Sequence, residues 1–392
     1  MIYNVKIIIK YVFGFIPVLF ATTVAAQDSE DNSAQTHDYK SVEIGGYVSD
    51  MPSFISIGSP EAFYWNNLVH NRLNFGWQFA ENWRIDAGMR NRFIFGSEYL
   101  VQSDEMAKDN GWLNLTWNNY QDRTVVLNST FDRLNITFER DEWKLQLGRQ
   151  RINWGQTFVW NPNDIFNTYS FFDFDYTERP GCDAFRATFY HSETASSELA
   201  SSINRYGKAT AALMHHRNWQ NIDFQGIVGY FEQTDIVVGG AVTGDYKGLN
   251  CRGEISVFKP VNISSDKTIV AASVGLDYIF ANSLMLQTEF LYNNASQSGN
   301  LTDLLSAEGM SAKRLSVSDK NLFFQASYPL TPRLNSSLSG MYFVDINAFY
   351  TGFSIDYSLA SNFDLSCIAQ YFGTESQNMS VLLAFARIKW SF

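Results

Sequence analysis

Cysteine is nearly missing from this chain. The 392 residues contain three, Cys182, Cys251 and Cys367, odd in number and far apart, with no Cys-x-x-Cys pair. That pattern excludes a disulfide framework or a thiolate metal site. Charge is also sparse at 18% of residues, below the usual quarter. Long apolar runs are lacking beyond the start of the chain, and mean hydropathy is −0.18, which disfavours a membrane protein built of helices. Helical periodicity is almost absent after Ser41. No Walker, dinucleotide or calcium-loop signature occurs, so no cofactor is expected. The formal charge is −11, and removing Lys6 and Lys10 with a leader takes it to −13, which makes nucleic acid an unsuitable partner.

What is abundant is aromatic. Phe, Tyr and Trp make up 16% of the chain, with 32 Phe and 20 Tyr. The single apolar run, Tyr11 to Phe20, follows Lys6 and Lys10 and leads into Val24-Ala25-Ala26. This layout predicts a secretory signal peptide over 1–26, then a polar periplasmic lead-in over 27–41. A transmembrane β-barrel over 42–392 completes the expected organisation. Barrel strands alternate apolar and polar residues and need no long hydrophobic run.

The last strand shows the alternation. Ser380, Leu382, Ala384, Ala386, Ile388, Trp390 and Phe392 share one face, and Arg387 and Lys389 lie on the other. The ending resembles the closing strand of bacterial outer-membrane barrels, which implies recognition by the barrel assembly machinery. Turn signatures recur upstream: Glu81-Asn82-Trp83, Asp141-Glu142-Trp143, Arg217-Asn218-Trp219, Ala281-Asn282-Ser283 and Ser361-Asn362-Phe363. Polar turns beside aromatics suit hairpin ends at a membrane interface. Threading from these turns predicts an all-β, antiparallel, up-and-down barrel of 18 strands, with 16 as the alternative. Strand centres fall near Gly45, Asn74, Gly88, Arg133, Gln146, Ala187, Ser201, Ala212, Gln225, Gly239, Gly253, Val274, Thr288, Phe324, Leu338, Phe353, Ile368 and Phe385. Periplasmic turns are then short, and long extracellular loops are expected at 50–66, 96–122, 153–181 and 294–318.

A charged residue facing lipid at mid-bilayer costs on the order of 2–4 kcal/mol, so the charges on these strands are assigned to the lumen. Arg72, Arg84, Asp86, Arg90, Arg92 and Arg186 come from early strands. Glu254, Asp277, Glu289 and Asp356 come from later ones, with Arg252 as an exception. The segregation predicts a basic wall facing an acidic one.

The most distinctive segment runs Leu147-Gly148-Arg149-Gln150-Arg151-Ile152-Asn153-Trp154-Gly155, then Trp160-Asn161-Pro162-Asn163-Asp164, then Phe171-Phe172-Asp173-Phe174-Asp175 and Glu178-Arg179-Pro180-Gly181. It resembles a segment of porin-like outer-membrane barrels of Gram-negative bacteria, over 145–183. Its Arg149, Arg151, Asp164, Asp173, Asp175 and Arg179 are candidate constriction residues if the loop folds into the pore. The alternative is a structural plug fixed by Arg–Asp pairs.

The expected function is passive diffusion of small polar solutes through the outer membrane, with carbohydrate as one candidate because Trp154, Trp160, Tyr169, Phe171 and Phe172 offer stacking faces. Partners would be outer-membrane lipid, the assembly machinery and, as a further option, other copies of the chain. Alternatives are a plugged barrel with a binding or structural role, and a membrane hydrolase. The histidines sit in no Gly-x-Ser-x-Gly or His-Glu-x-x-His setting, though His70 faces the lumen. His215 and His216 point to opposite strand faces. No catalytic, cofactor or metal residue is assigned.

Overall fold

The computed structural model describes residues 41–58, 62–101, 103–167, 179–261, 267–295, 310–374 and 379–392. The expected leader and all of the lead-in except Ser41 lie outside them. Among the described residues nineteen strands form, in chain order: β1 Val42–Ile57, β2 Ala62–Ala80, β3 Trp83–Gly96, β4 Thr116–Gln121, β5 Val125–Arg140, β6 Trp143–Gln150, β7 Cys182–Ser192, β8 Ala195–Ile203, β9 Ala209–Trp219 and β10 Ile222–Phe231. Then come β11 Asp235–Tyr246, β12 Leu249–Pro260, β13 Ile269–Ile279, β14 Met285–Asn293, β15 Lys320–Thr331, β16 Leu334–Phe343, β17 Ala348–Ala360, β18 Phe363–Thr374 and β19 Met379–Ser391.

Eighteen of them pair antiparallel in sequence order, except that β3 skips β4 and pairs β5. The ring closes where β19 meets β1, Tyr47 opposite Ser391 and Asp50 opposite Ile388. Phe392 exchanges two backbone hydrogen bonds of 2.9 Å with Gly46, so the C-terminal aromatic is locked into the seam. Each of the eighteen expected strand centres lies in one of the ring strands. Strand β4 stands outside the count. It pairs the upper part of β5, Thr116 with Thr130 and Trp117 with Ser129, in the slot above the short β6.

Side-chain polarity sets the two faces. On β2, Phe75 and Trp77 are exposed while His70 and Arg72 are buried. On β19, Leu382 and Ile388 are exposed, as is Phe392 just beyond it, Val381 is buried, and Lys389 lies over the Tyr47 ring at 5.3 Å. The outward faces carry apolar side chains of the kind a bilayer accepts, and the inward faces carry the charges. At the turn end, outward rings pack into a girdle: Trp83 on Phe138 and Trp143 on Phe189, each at 4.8 Å, and Phe363 on Trp390 at 6.2 Å. Amphipathic rings settle at the membrane interface.

Two expectations need correction. The stretch 50–66 is not a long loop. Pairs Asp50 with Val69 through Ile57 with Ala62 continue the β1–β2 ladder, because Ile55 and Ile57 still find apolar packing inside the barrel. The turn lies three residues later than the Arg217-Asn218-Trp219 signature places it, so Trp219 ends β9 instead of opening β10. Gln220 and Asn221 both adopt left-handed φ, as a tight two-residue hairpin requires.

Candidate functional site

Strand β5 carries two adjacent inward charges, Asp132 and Arg133. Alternation would put one of them in lipid. A bulge prevents this: Gly88 pairs with Arg133 and Met89 with Phe131, leaving Asp132 as the extra residue. A bulge re-aims side chains at the cost of local ladder bonds. Arg72 forms a two-pronged pair with Asp132, its second nitrogen at 3.0 Å, with both side chains almost wholly buried. Its Nε donates to Asn74 at 2.8 Å. The planar guanidinium suits such two-point carboxylate contact. Arg133 donates to the carbonyl of Arg179 at 2.6 Å, tying the wall to the segment that leads into β7. Arg90 and Arg92 are buried on β3, and Arg92 donates to Asn128 at 3.0 Å. Lower on the wall, Arg84 pairs with Asp86 at 2.8 Å and Glu43 at 2.7 Å.

After Gln150 the chain leaves the wall and enters the lumen. The described part of this segment, 151–167, packs against the far strands. Glu289 on β14 accepts the backbone N–H groups of Phe158, Val159 and Trp160 at 2.9, 2.9 and 2.8 Å, and the Ser273 hydroxyl at 2.8 Å. Glu254 on β12 accepts the N–H groups of Gln156, Thr157 and Asn163, the last at 3.0 Å, and the Thr157 hydroxyl at 2.9 Å. The segment is irregular, so its N–H groups have no helix or ladder to satisfy them. Buried carboxylates supply the acceptors. Asn163 adds a bond to the Gly240 carbonyl at 3.0 Å and receives one from Ser256 at 2.8 Å.

Trp154 is the apolar anchor. It is buried at 2%, edge-on to Phe166 at 4.9 Å, and its indole N–H donates to Glu198 at 2.6 Å. Ala184, Ala200 and Ala212 are small inward residues on β7, β8 and β9, and they belong to the same core as Trp154 and Ile152. A wall of alanine makes room for a folded-in loop. Below Trp154, Glu198 also pairs with Arg186.

A second stretch, 310–318, joins the first. Leu315 and Val317 share a core with Val159 and Trp160, while Ala312 packs in the core of Trp154. Lys313 reaches Asp235 at 2.5 Å, and Asn293 holds the Lys313 carbonyl and the Leu315 N–H.

Asp164 is 1% exposed on the inward segment. Burial pushes its carboxyl up to about 8, against the opposing attraction of Arg151 and Arg179, while Glu254 adds to the rise. Asp173 and Asp175 lie outside the described residues, as do Tyr169, Phe171 and Phe172. Asp277 receives Arg252 and Asn250, both at 2.8 Å, and Asp356 receives the Ser366 hydroxyl at 2.6 Å. Glu254 and Glu289 therefore act as anchors for a loop backbone, and no bare acidic wall faces the arginines. His70 is buried edge-on against Tyr47 at 5.3 Å.

Arg149 belongs to the wall. It donates to Asp183 at 2.8 Å and to Asp109 at 2.7 Å, and to the Leu113 carbonyl at 2.6 Å. These contacts hold 109–115, which runs into β4, over the gap that β6 leaves when the chain turns inward. Burial alone would raise the Asp109 carboxyl, but Arg149 and the Gly111 N–H hold it below the usual range. Sequence reading passed over Asp132, Glu198 and Asp109. The Asp132–Arg133 doublet inside an alternating strand was the one legible signal, since two adjacent charges there require a bulge.

The arginines and the inward segment face one another across the barrel. In the eighteen-strand ring, β12 is nine strands from β2, the position directly opposite. The lumen is thus bounded by Arg72, Arg90, Arg92 and Arg133 on one side and by a loop fixed to Glu254 and Glu289 on the other.

No family model matches the sequence, and no curated protein is similar to it by sequence. Solved structures do resemble it. OccAB4 of Acinetobacter baumannii superposes with a TM-score of 0.59 at 9% identity, over 89% of this chain and 98% of that one. OccK5 (OpdH) of Pseudomonas aeruginosa gives 0.60 at 6% identity over the same shares. OpdK of the same organism, solved with vanillate, gives 0.58 at 6%, again over 89% and 98%. At such identities the likeness is one of fold. The described residues form a closed, eighteen-strand antiparallel β-barrel with the fold of these solved barrels and an apolar outer wall of the kind a bilayer accepts.

Proposed function

We propose that this chain is a channel for passive diffusion of small polar solutes across the outer membrane, with preference for solutes that carry a negative charge. The observation that supports it is the imbalance around the lumen. Arg90, Arg92, Arg133, Arg151 and Arg179 gather on or near β3, β5 and the entry to β7, besides Arg72, whose charge Asp132 offsets. The carboxylates opposite, Glu254 and Glu289, are buried beneath the loop backbone that they hold and are turned away from the open lumen. A constriction with one sign of charge on a low-dielectric wall selects the opposite sign in solute. The vanillate seen with OpdK is a small carboxylate, which accords with that chemistry. Carbohydrate is the weaker reading, because Trp154 and Trp160 are buried in the loop core and offer no open face.

Planar-bilayer recordings in a salt gradient, with liposome swelling on small carboxylates, amines and neutral sugars, test this. The expected result is an anion-selective reversal potential and faster swelling with carboxylates. A barrel that conducts no ions and admits none of the solutes sinks the channel reading. Cation selectivity sinks only the charge preference.

A further inference from the structure

The turn end of the outer wall carries a polar cluster among its aromatic rings. Ser197 on β8 stands between Phe189 on β7 and His215 on β9. His191 Nε2 lies 2.8 Å from the Ser197 hydroxyl oxygen, and His215 Nδ1 lies 2.9 Å from it. The two rings meet edge-on at 5.5 Å. All three side chains take the outward face, since His191 packs edge-on to Phe189 at 4.9 Å and Phe189 packs on Trp143 of the girdle at 4.8 Å. Arg217 follows on the same face of β9, paired with Ala195 on one side and Phe224 on the other. At a strand rise of about 3.3 Å per residue its Cα stands roughly 7 Å from that of His215.

Arg217 is exposed and makes no ion pair among the described residues. Arg140, at the same end of β5, has Asp141 at 3.4 Å. Glu142 and Glu193 are exposed in the adjoining turns, and among the described residues neither bonds to Arg217 or to the two histidines. The cluster has a second donor besides the guanidinium. A hydroxyl has one hydrogen, so Ser197 donates to one imidazole nitrogen and accepts from the other. The ring that accepts keeps its own proton on the nitrogen away from Ser197, where a ligand can meet it. The floor between these groups is small, made of Ala195, Ser197 and, opposite His215, Gly226, beside which the wall is open.

We propose that this cluster binds the phosphate of a phospholipid in the leaflet on the turn side of the barrel. Three features favour that ligand. The donors are a guanidinium, whose planar fork matches phosphate oxygens, and an imidazole N–H, with no carboxylate held against either. Their level is that of the aromatic girdle, where headgroups stand: Trp219, 60% exposed, lies two residues beyond Arg217 on the same face. Toward mid-membrane the face continues as Leu199 and Leu213, 48% and 47% exposed, so the acyl chains have an apolar wall to lie on. A free anion would use the donors and leave that wall unused. The reading needs a bilayer around the barrel and does not depend on what the lumen conducts.

The test is native mass spectrometry of the purified, delipidated protein in mild detergent, titrated with dioleoyl phosphatidylglycerol. A dioleoyl diglyceride with glucose in place of the phosphate group is the matched control lipid. The first phosphatidylglycerol should bind about tenfold more tightly than the glucolipid, the worth of one charge-assisted hydrogen bond. Arg217→Ala should remove that preference, and His191→Gln with His215→Gln should reduce it. Arg140→Ala, at the same rim and outside the cluster, should leave it intact. Heat-modifiable migration checks that each barrel is folded. Equal binding of the two lipids overturns the proposal, as does a preference that survives both the Arg217 and the histidine variants or is lost equally in Arg140→Ala. Displacement of the lipid by an equal concentration of inorganic phosphate assigns the cluster to the free anion and overturns it as well.

Discussion

Glu254 accepts the backbone N–H of Asn163 at 3.0 Å, joining β12 to a loop residue 91 positions earlier in the chain. With Glu289 it converts an irregular segment into a fixed shelf inside the barrel. The lumen is narrowed by this shelf and by the 310–318 stretch packed on it.

Replacing Glu289 by Gln leaves one acceptor oxygen where two received three N–H groups, and it sets an NH2 against donors. Hydrogen bonds to charged groups contribute about 1.5–3 kcal/mol each, so the shelf should loosen while the ring, held by its own ladders, persists. Single-channel conductance should rise about twofold, with larger current noise. Unchanged conductance in a folded Glu289→Gln barrel would show that the shelf does not limit flow.

The Arg72–Asp132 pair should be strongly coupled. Asp132→Ala strands a buried guanidinium and should cost about 3–5 kcal/mol in urea unfolding from lipid vesicles. Pairing it with Arg72→Met removes the stranded charge and should recover most of the loss. Additive losses in the double variant would mean that the two groups do not act as a pair.

Charge reversal at Arg90 and Arg92, to Glu in both cases, should move the reversal potential toward cation selectivity. Arg84 lies lower, held by Glu43 and Asp86, so Arg84→Glu should move it less. Identical shifts from the two sites would place the selective region elsewhere.

Asp164 introduces a pH dependence. Its folded carboxyl is raised to about 8, far above the usual carboxylate range. The unfolded chain loses that proton near pH 4. The loop's packing is therefore favoured at low pH, weakens as pH rises above 4, and reaches its full penalty above about 8. Conductance should increase between pH 6 and pH 9 as the shelf loosens, and Asp164→Asn should flatten the profile. A profile that Asp164→Asn leaves unchanged assigns the dependence to another group.

Arg149→Ala should act outside the pore. Without it, Asp109 and Asp183 repel each other and the cover over the β6 gap is released. Proteolysis of intact cells should then cut within 107–115, a site protected in the parent, with little change in selectivity. Continued protection would show that β4 pairing alone holds the cover.

The sequence by itself determined the barrel. Alternation decides which face of a strand most side chains take, and lipid disfavours charge on the outer one, so the strand centres and the closing position of Phe392 were readable, with sixteen strands left open beside eighteen. It also showed that Leu147 to Asp164 was special, through residue types that do not fit a strand. Tertiary structure alone decided what the charges do. Period-two alternation tells inside from outside but not who stands opposite, because that depends on ring closure and shear. Glu254 and Glu289 look like an acidic wall in sequence, yet they became anchors once a loop with unmet N–H groups reached them. Arg149 looks like a pore residue, yet Asp109 claimed it from outside.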